Sequence, residues 1–223
     1  MGTLLIIALL IMGAYAAGLW HHRKRERALT RTIGERNEEL QAVRTELARQ
    51  SSLDGLTQVA THQYCQEFLE KEWRRSLREL TPISLIMIDL DHFRAYNQRL
   101  GHQAGENCLK RVADTLRTAV GRPGDVVSRY DGEKFLIVLG RTTGEGAASL
   151  AAKLSAAVAA LELPHPASPS AKHVTISLGV ATAVPSRGAT WQDIELVAVA
   201  ERALSEAKQL GCNRIARAEF ESP

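Results

Sequence analysis

The segment RYDGEKFLIVL, residues 129–139, constrains the fold of this chain more than any other stretch. It places an Asp-Gly pair between a short extended run and a long apolar run, which predicts two antiparallel strands joined by a tight type I′ turn. Glu133 and Lys134 come directly after the Asp-Gly pair. The tip of the predicted hairpin is therefore either a solvated turn or the edge of a site that handles a charged substrate.

The composition indicates one globular domain with an additional segment. The chain has 223 residues, of which 45% are hydrophobic and 24% charged, enough to bury one sizeable core. A net charge of +3 without a basic stripe through the body of the chain does not predict a nucleic-acid partner. The three cysteines are widely spaced and form no metal-ligand pattern, so we expect reduced thiols in a cytoplasmic domain.

The first twenty residues predict a membrane anchor. Residues 4–20 carry no charge and would span roughly 25 Å as a helix, which is about the thickness of a bilayer core. The basic segment HHRKRER at 21–27 follows this run, so the positive-inside rule places the C-terminal side in the cytoplasm. A cleaved signal peptide is the alternative, but no basic residues precede the apolar run. We predict a single-pass signal anchor at residues 1–20.

Residues 21–50 are predicted to form a basic juxtamembrane segment and a helical linker. Ile33, Leu40 and Leu47 recur every seven residues, which is typical of a short coiled coil. A solvated single helix fits the same polar composition.

From residue 51 onward, the hydrophobic periodicity predicts one α/β domain of the α+β type, at 51–218, with a short tail at 219–223. Helices are expected at 62–80, 102–120, 146–161 and 191–210, and strands at 83–90, 125–130, 134–139, 174–181 and 213–216. This order predicts a ferredoxin-like split arrangement with helices on one face of the sheet.

Two carboxylates at the end of the first strand are candidates for chemistry. Asp89 and Asp91 lie two residues apart, hence on one face, at the carboxyl end where α/β proteins usually bind ligands. If the hairpin lies beside this strand, Glu133 approaches Asp89 and the pair could hold Mg²⁺ against a nucleotide phosphate. Paired carboxylates at a strand end can equally be solvated charges.

Six motifs fall in one order across nearly three quarters of the chain: DGLT (54–57), IDLDHFRAYN (88–97), GHQAGE (101–106), RYDGEKF (129–135), ISLGVA (176–181) and AERALSEAKQLGCN (200–213). Together they resemble the GGDEF domain of diguanylate cyclases, which join two GTP molecules into cyclic di-GMP (c-di-GMP). The resemblance implies a palm-type domain with a mixed, mostly antiparallel central sheet and flanking helices. It also implies a homodimer, because two GTP-loaded domains must face each other.

The resemblance assigns roles to individual residues. Asp89 and Glu133 match the positions that hold Mg²⁺ on the triphosphate of GTP, and Glu133 and Lys134 match the catalytic positions of the signature. The remaining substrate-binding positions are those for guanine, for the signature turn and for phosphate: Asn97, Glu106, Asp131, Gly132 and Lys208.

Several departures from the family pattern concern the triphosphate. The signature reads DGEKF at residues 131–135, where the family has Gly at the position of Asp131 and Glu at that of Lys134. A cation held about 4 Å from Mg²⁺ at an effective dielectric of about 20 is repelled by about 8 kcal/mol. Ser205 stands for a usual Tyr, and Cys212 for an Arg that reaches phosphate. In the alternative that preserves activity, Lys134 binds phosphate directly.

A second ligand site is suggested by RPGD, residues 122–125. It stands where the family has its inhibitory RxxD motif, which binds c-di-GMP through Arg122 and Asp125. Pro-Gly at the centre of four residues is also ordinary turn chemistry, and RVAD at 111–114 has the same pattern inside a predicted helix.

Together these features predict a degenerate GGDEF protein of c-di-GMP signalling, anchored in the bacterial inner membrane with its domain in the cytoplasm. It is expected to be poorly active or inactive as a cyclase and to regulate an unknown protein partner by binding c-di-GMP or GTP, with Mg²⁺ as cofactor when GTP is bound. Signalling of this kind includes the control of biofilm formation. The alternatives are an active diguanylate cyclase and a dimerising scaffold that binds no nucleotide.

Overall fold

The computed structural model describes residues 52–186 and 193–219, which belong to one folding unit, Ser51–Pro223. The predicted membrane anchor at 1–20 and the helical linker at 21–50 lie outside the described residues. Within 52–186 and 193–219, no helix is long and apolar enough to cross a membrane.

Five helices and five strands make up the described chain. In chain order they are α1 (His62–Glu79), β1 (Ile83–Leu90), α2 (Phe93–Leu100), α3 (His102–Val120), β2 (Asp125–Asp131), β3 (Lys134–Gly140), α4 (Gly144–Ala159), β4 (Ile176–Ala183), α5 (Asp193–Gln209) and β5 (Ile215–Glu219). The predicted elements are confirmed, with boundaries that move by up to about three residues.

The strands form one mixed sheet in the order β2-β3-β1-β4-β5. β1 pairs antiparallel with β3 on one side and β4 on the other, β2 pairs antiparallel with β3, and β4 with β5 is the one parallel pair in the described sheet. This arrangement confirms the predicted mixed sheet. β1 is its central strand, and all eight of its residues are buried.

Helices cover both faces of the sheet. Ile86 and Ile88 of β1 pack into a core with α2, α3 and α4, whereas Leu85 and Met87 pack into a second core with α1 and α5. The expectation of helices on one face is therefore wrong. A strand without polar residues at alternate positions is typical of a sheet covered on both sides, and the ISLIMIDL run of β1 has this character.

The β2–β3 hairpin is confirmed, but its turn is not type I′. Asp131 pairs with Lys134, so the two central residues of the turn are Gly132 and Glu133. Gly132 has a φ of +50°, whereas neither Asp131 nor Glu133 adopts a positive φ. A type I′ turn requires a positive φ at both central residues, so a single glycine at the first of them corresponds to type II′. Asp131 is thus the exposed last residue of β2, and it does not take the strained turn position that we expected for it.

The helix α2 was not predicted. It begins immediately after His92, whose left-handed φ of +56° turns the chain out of β1. Phe93 and Tyr96 are buried on one side of the helix, and the chain turns again at Gly101. Because α2 is only eight residues long, this i, i+3 spacing was its main sequence signal.

Asp91 ties three segments together directly beyond β1. Its carboxylate accepts hydrogen bonds from the hydroxyls of Thr175 (2.7 Å) and Ser177 (2.6 Å) and from the backbone N–H of Asn213 (2.9 Å). The residue is 1% exposed. A buried carboxylate with three donors is well satisfied, so Asp91 fixes the carboxyl end of β1 against the start of β4 and the connection from α5 to β5. Asp91 therefore has a structural role here.

We expect Asp91→Ala to lower the free energy of unfolding by about 3 kcal/mol, because it leaves buried donors without an acceptor. Urea unfolding of the purified chain, followed by circular dichroism, measures this change. Asp114→Ala is the matched control, since Asp114 pairs with Arg117 on an exposed helix surface. Equal stability of the two variants would contradict the structural role of Asp91.

Candidate functional site

A cavity of about 830 Å³ lies beside the hairpin tip and brings four predicted site residues together. Asn97 of α2, Glu106 of α3, and Gly132 and Glu133 of the hairpin turn all line it. These residues come from three separate stretches of the chain, which the fold brings together around one cavity. The predicted substrate-binding set is therefore largely gathered in one place.

The inner end of this cavity depends on close packing between α2 and α3. A Cβ added to Gly105 would lie 1.8 Å from Asn97 Oδ1, so α3 can approach Asn97 only because residue 105 is glycine. Asn97 Oδ1 is buried and has no hydrogen-bond partner. A buried acceptor without a donor is costly, and a ligand N–H is a group that could satisfy it. Glu106 is exposed on the same wall and offers a carboxylate.

Asp89 lies near the end of β1 in an ion pair with Lys208 of α5. The distance from Lys208 Nζ to Asp89 Oδ2 is 2.6 Å, and the Asp89 side chain is 5% exposed. The other carboxylate oxygen, Oδ1, is buried without a hydrogen-bond partner. Two predicted site residues are therefore in direct contact, although one had been assigned to metal and the other to phosphate.

Lys134 is the residue of β3 that pairs with Asp89 across the sheet. Burial raises the pKa of Asp89, Lys208 opposes this shift most strongly, Glu133 adds to it and Lys134 opposes it. Asp89 therefore responds electrostatically to both hairpin residues, as expected if the hairpin tip lies beside β1. Asp131, the remaining predicted residue, is exposed at the end of β2.

Arg129 positions the turn, and we had assigned it no role. Its Nε donates a hydrogen bond to the carbonyl oxygen of Gly132 (2.9 Å), and its Nη1 lies 3.3 Å from Asp54 Oδ1. Asp54 also accepts hydrogen bonds from the backbone N–H (2.8 Å) and hydroxyl (2.6 Å) of Thr57. The DGLT and RYDGEKF motifs are thus joined by one side chain. The sequence shows that both motifs are present, but only the fold shows that they are in contact.

The donor set at the end of β1 fits one Mg²⁺ ion. Mg²⁺ is commonly held by one or two carboxylates together with substrate phosphates. Asp89 Oδ1 and the Glu133 carboxylate could provide these ligands, and the buried, unpartnered Oδ1 is the atom that such an ion would satisfy. Lys134 provides no further ligand, and no group of three His, Cys, Asp or Glu residues comes together in the described parts of the chain.

Arg122 and Asp125 line a separate cavity of about 260 Å³. The Asp125 N–H donates to the Arg122 carbonyl oxygen (3.1 Å), so RPGD forms the turn that its Pro-Gly pair predicts. Burial raises the pKa of Asp125, while Arg122 acts in the opposite direction. Arg117 and Tyr64 also border this cavity. Arg122 and Asp125 therefore both close a turn and border a cavity.

The pH dependence of stability tests the environment of Asp89. Burial raises the folded-state pKa of Asp89 above its ordinary value of 3.8, so its ionised form opposes folding and stability is lost as pH rises through the folded pKa. We expect Asp89→Asn to gain stability over the native chain as pH rises above 3.8, with the difference constant at neutral pH. Urea unfolding at a series of pH values measures this difference. A variant that becomes relatively less stable with rising pH would show that the Lys208 ion pair outweighs burial.

Comparison with known proteins identifies the family. The family model described as "Diguanylate cyclase, GGDEF domain" matches residues 51–214. The chain is 34% identical to the diguanylate cyclase DgcP of Pseudomonas aeruginosa over 168 residues, which cover 75% of this chain and 24% of DgcP. It spans between 24% and 42% of the length of the first curated relatives that it matches.

Solved structures show the same fold. The GGDEF domain of DgcB from Caulobacter crescentus, in complex with c-di-GMP, superimposes with a TM-score of 0.67 at 26% identity, over 74% of this chain and 92% of that one. The diguanylate cyclase SiaD of Pseudomonas aeruginosa, in complex with its activator SiaC, has a TM-score of 0.67 at 25% identity, over 93% of this chain and 77% of that one. The chain belongs to the GGDEF domain family of diguanylate cyclases.

Proposed function

We propose that this chain is a regulatory GGDEF protein of c-di-GMP signalling that binds GTP or c-di-GMP and has little or no cyclase activity. The observation that carries the proposal is the pairing of Lys134 with Asp89 across β1 and β3. This pairing places the cation of Lys134 beside Asp89, the carboxylate that matches a metal-binding position of the family. A site altered in this way can retain a nucleotide while losing the means to activate it.

The guanine end of the cavity supports nucleotide binding. Guanine presents adjacent N–H donors on its Watson–Crick edge, and a carboxylate can accept both of them. Glu106 provides such a carboxylate, and Asn97 Oδ1 is an acceptor without a donor in the same cavity. The longer side chain of Glu106, where the family usually has Asp, reaches one methylene further.

The residues at the positions that the family uses for phosphate support the proposal of little or no cyclase activity. Beyond Lys134 and Asp131, the substituted residues Ser205 and Cys212 each contact the backbone of the residue four positions earlier. The Ser205 hydroxyl donates to the Glu201 carbonyl oxygen at 2.9 Å, and Cys212 Sγ lies 3.9 Å from the Lys208 carbonyl oxygen. Cys212 is too short to replace an arginine that reaches phosphate, and Ser205 lacks the ring of the Tyr that the family usually has. When bound, Mg²⁺ would screen phosphate charge, and Asp89 and Glu133 are the residues that would hold it.

The wider arrangement of the protein is also part of the proposal. We propose a single-pass anchor in the bacterial inner membrane, with the GGDEF domain in the cytoplasm and a homodimer formed through the helical linker. The apolar run at 4–20, the following basic segment and the heptad spacing support these features. A protein partner is expected for a regulator, and the relative SiaD was solved with its activator SiaC.

An active cyclase is the second candidate function. Asp89 Oδ1 has no partner and is buried, so one metal-binding oxygen remains available beside Glu133. This observation favours residual activity, which a turnover assay separates from the regulatory proposal.

We expect the native chain, purified in detergent with GTP and Mg²⁺, to make c-di-GMP at least about tenfold more slowly than an Asp131→Gly, Lys134→Glu double variant, which restores a carboxylate at the phosphate end. Product is measured by chromatography. Adding Gly105→Ala to the double variant should abolish the gain, because the new Cβ collides with Asn97. Rapid turnover by the native chain, with no increase in the double variant, would support the active cyclase instead.

We expect Arg122→Ala to weaken c-di-GMP binding by about tenfold or more, because charge-assisted hydrogen bonds from an arginine are among the stronger polar contacts. Calorimetry on the purified chain measures the affinity. Arg111→Ala is the matched control, since RVAD at 111–114 repeats the pattern on the exposed surface of α3. Equal binding by the two variants would remove RPGD as the site, and no binding even by the native chain would favour the scaffold.

A further inference from the structure

The carboxyl end of β1 holds two lysines as well as two carboxylates. Lys208 is in direct contact with Asp89, and Lys134 is its cross-strand partner. The side chain of Lys208 is 37% exposed, and Lys134 is half-buried. Both residues are therefore accessible to a ligand that reaches this edge of the sheet from solvent.

The net charge of the side chains at the carboxyl end of β1 differs from that of a site whose carboxylates bind a metal ion. Asp89 and Glu133 are matched by Lys134 and Lys208, so the four side chains together are neutral. A glutamate at position 134 would leave three carboxylates against one ammonium, and a nucleotide triphosphate could approach that set only with added cations. With lysine there, the protein itself provides a cation that is otherwise supplied by the solution.

Either lysine can compensate the charge of Asp89 while the other contacts a phosphate oxygen. Asp89 is largely buried and therefore needs a positive partner while it is ionised. Lys208 provides that partner at 2.6 Å, which leaves the ammonium of Lys134 available to a phosphate oxygen. If Lys208 turns to the phosphate, Lys134 is the adjacent cation that remains beside Asp89. In either arrangement one lysine compensates the carboxylate and the other meets the ligand.

We propose that, while Lys208 compensates the charge of Asp89, Lys134 supplies a cation to the phosphates of GTP at this site, so that the nucleotide binds with little dependence on Mg²⁺. This inference rests on the proposed function, since it names the groups that would meet the phosphates of the proposed GTP next to Glu133, which lines the cavity. A lysine ammonium is a compact charge with three donors and pairs well with phosphate oxygens. It cannot act as a metal ion with open coordination positions, so binding is retained while activation of the nucleotide is not.

The test compares GTP affinity in Mg²⁺ with GTP affinity in EDTA, using a fluorescent non-hydrolysable GTP analogue and the whole chain in detergent. Replacing Mg²⁺ with EDTA should weaken binding to the native chain by less than about threefold and binding to Lys134→Glu by about tenfold or more. Lys134→Gln should fall between them. Lys153→Glu makes the same charge change on the exposed surface of α4 and should behave like the native chain.

Each other result overturns the inference in a distinguishable way. If the native chain binds the analogue with Mg²⁺ but loses about tenfold or more in EDTA, the lysines do not replace the metal, while GTP binding itself stands. If Lys134→Gln matches the native chain in both solutions, the charge of Lys134 is not responsible. If the native chain binds no analogue in either solution, GTP binding at the cavity fails, and the inference fails with it. Lys208→Gln gives an independent measurement should Lys134→Glu not fold, and its binding should also become dependent on Mg²⁺.

Discussion

The buried carboxylate of Asp91 is the constraint on which the arrangement at this end of the sheet depends. Its hydrogen bonds reach the start of β4 and the backbone of Asn213, which directly precedes β5. The same connection follows α5, the helix that carries Lys208. Asp91 therefore ties the end of β1 to the start of β4 and to the connection that leads from α5, the helix whose lysine meets Asp89, into β5. Two aspartates only two positions apart therefore differ in their contacts: Asp91 holds the framework, and Asp89 is paired with Lys208.

The candidate site has two parts with different chemistry. Asn97 and Glu106, which match the family motifs, line a cavity beside the signature turn. At the carboxyl end of β1, Asp89 has Lys208 in direct contact and Lys134 as its cross-strand partner. Recognition of a base depends on shape and hydrogen bonds, whereas activation of a phosphate depends on local charge. A few substitutions can therefore change the second property without removing the first.

The sequence predicted the elements with strong periodicity and missed those set by tertiary contacts. β1 and α3 begin and end at the predicted residues, because a continuous apolar run and a long amphipathic helix are clear signals. The short helix α2 was missed because eight residues give too little periodicity, and the turn type was missed because pairing, not the Asp-Gly dipeptide, set which residues lie at its centre.

Within the site, local spacing placed Asp89 at the strand end and Glu133 at the turn. The ion pair between Asp89 and Lys208 joins residues more than a hundred positions apart, so no local pattern could predict it. The contact of Asn97 with Gly105 depends in the same way on the angle between two helices. Family resemblance supplied the list of residues, and the fold supplied which of them touch.

The side chain of Arg129 has a mechanical consequence. It holds Asp54 with one nitrogen and the carbonyl of Gly132 with another, while Ala60 is hydrogen-bonded to the backbone of β2 on both sides. The segment around residues 52–61 and the signature turn are thereby linked through the side chain of Arg129. A displacement of Asp54 must either move the signature turn with it or break a part-buried ion pair, so the beginning of the domain is mechanically coupled to the turn that lines the cavity.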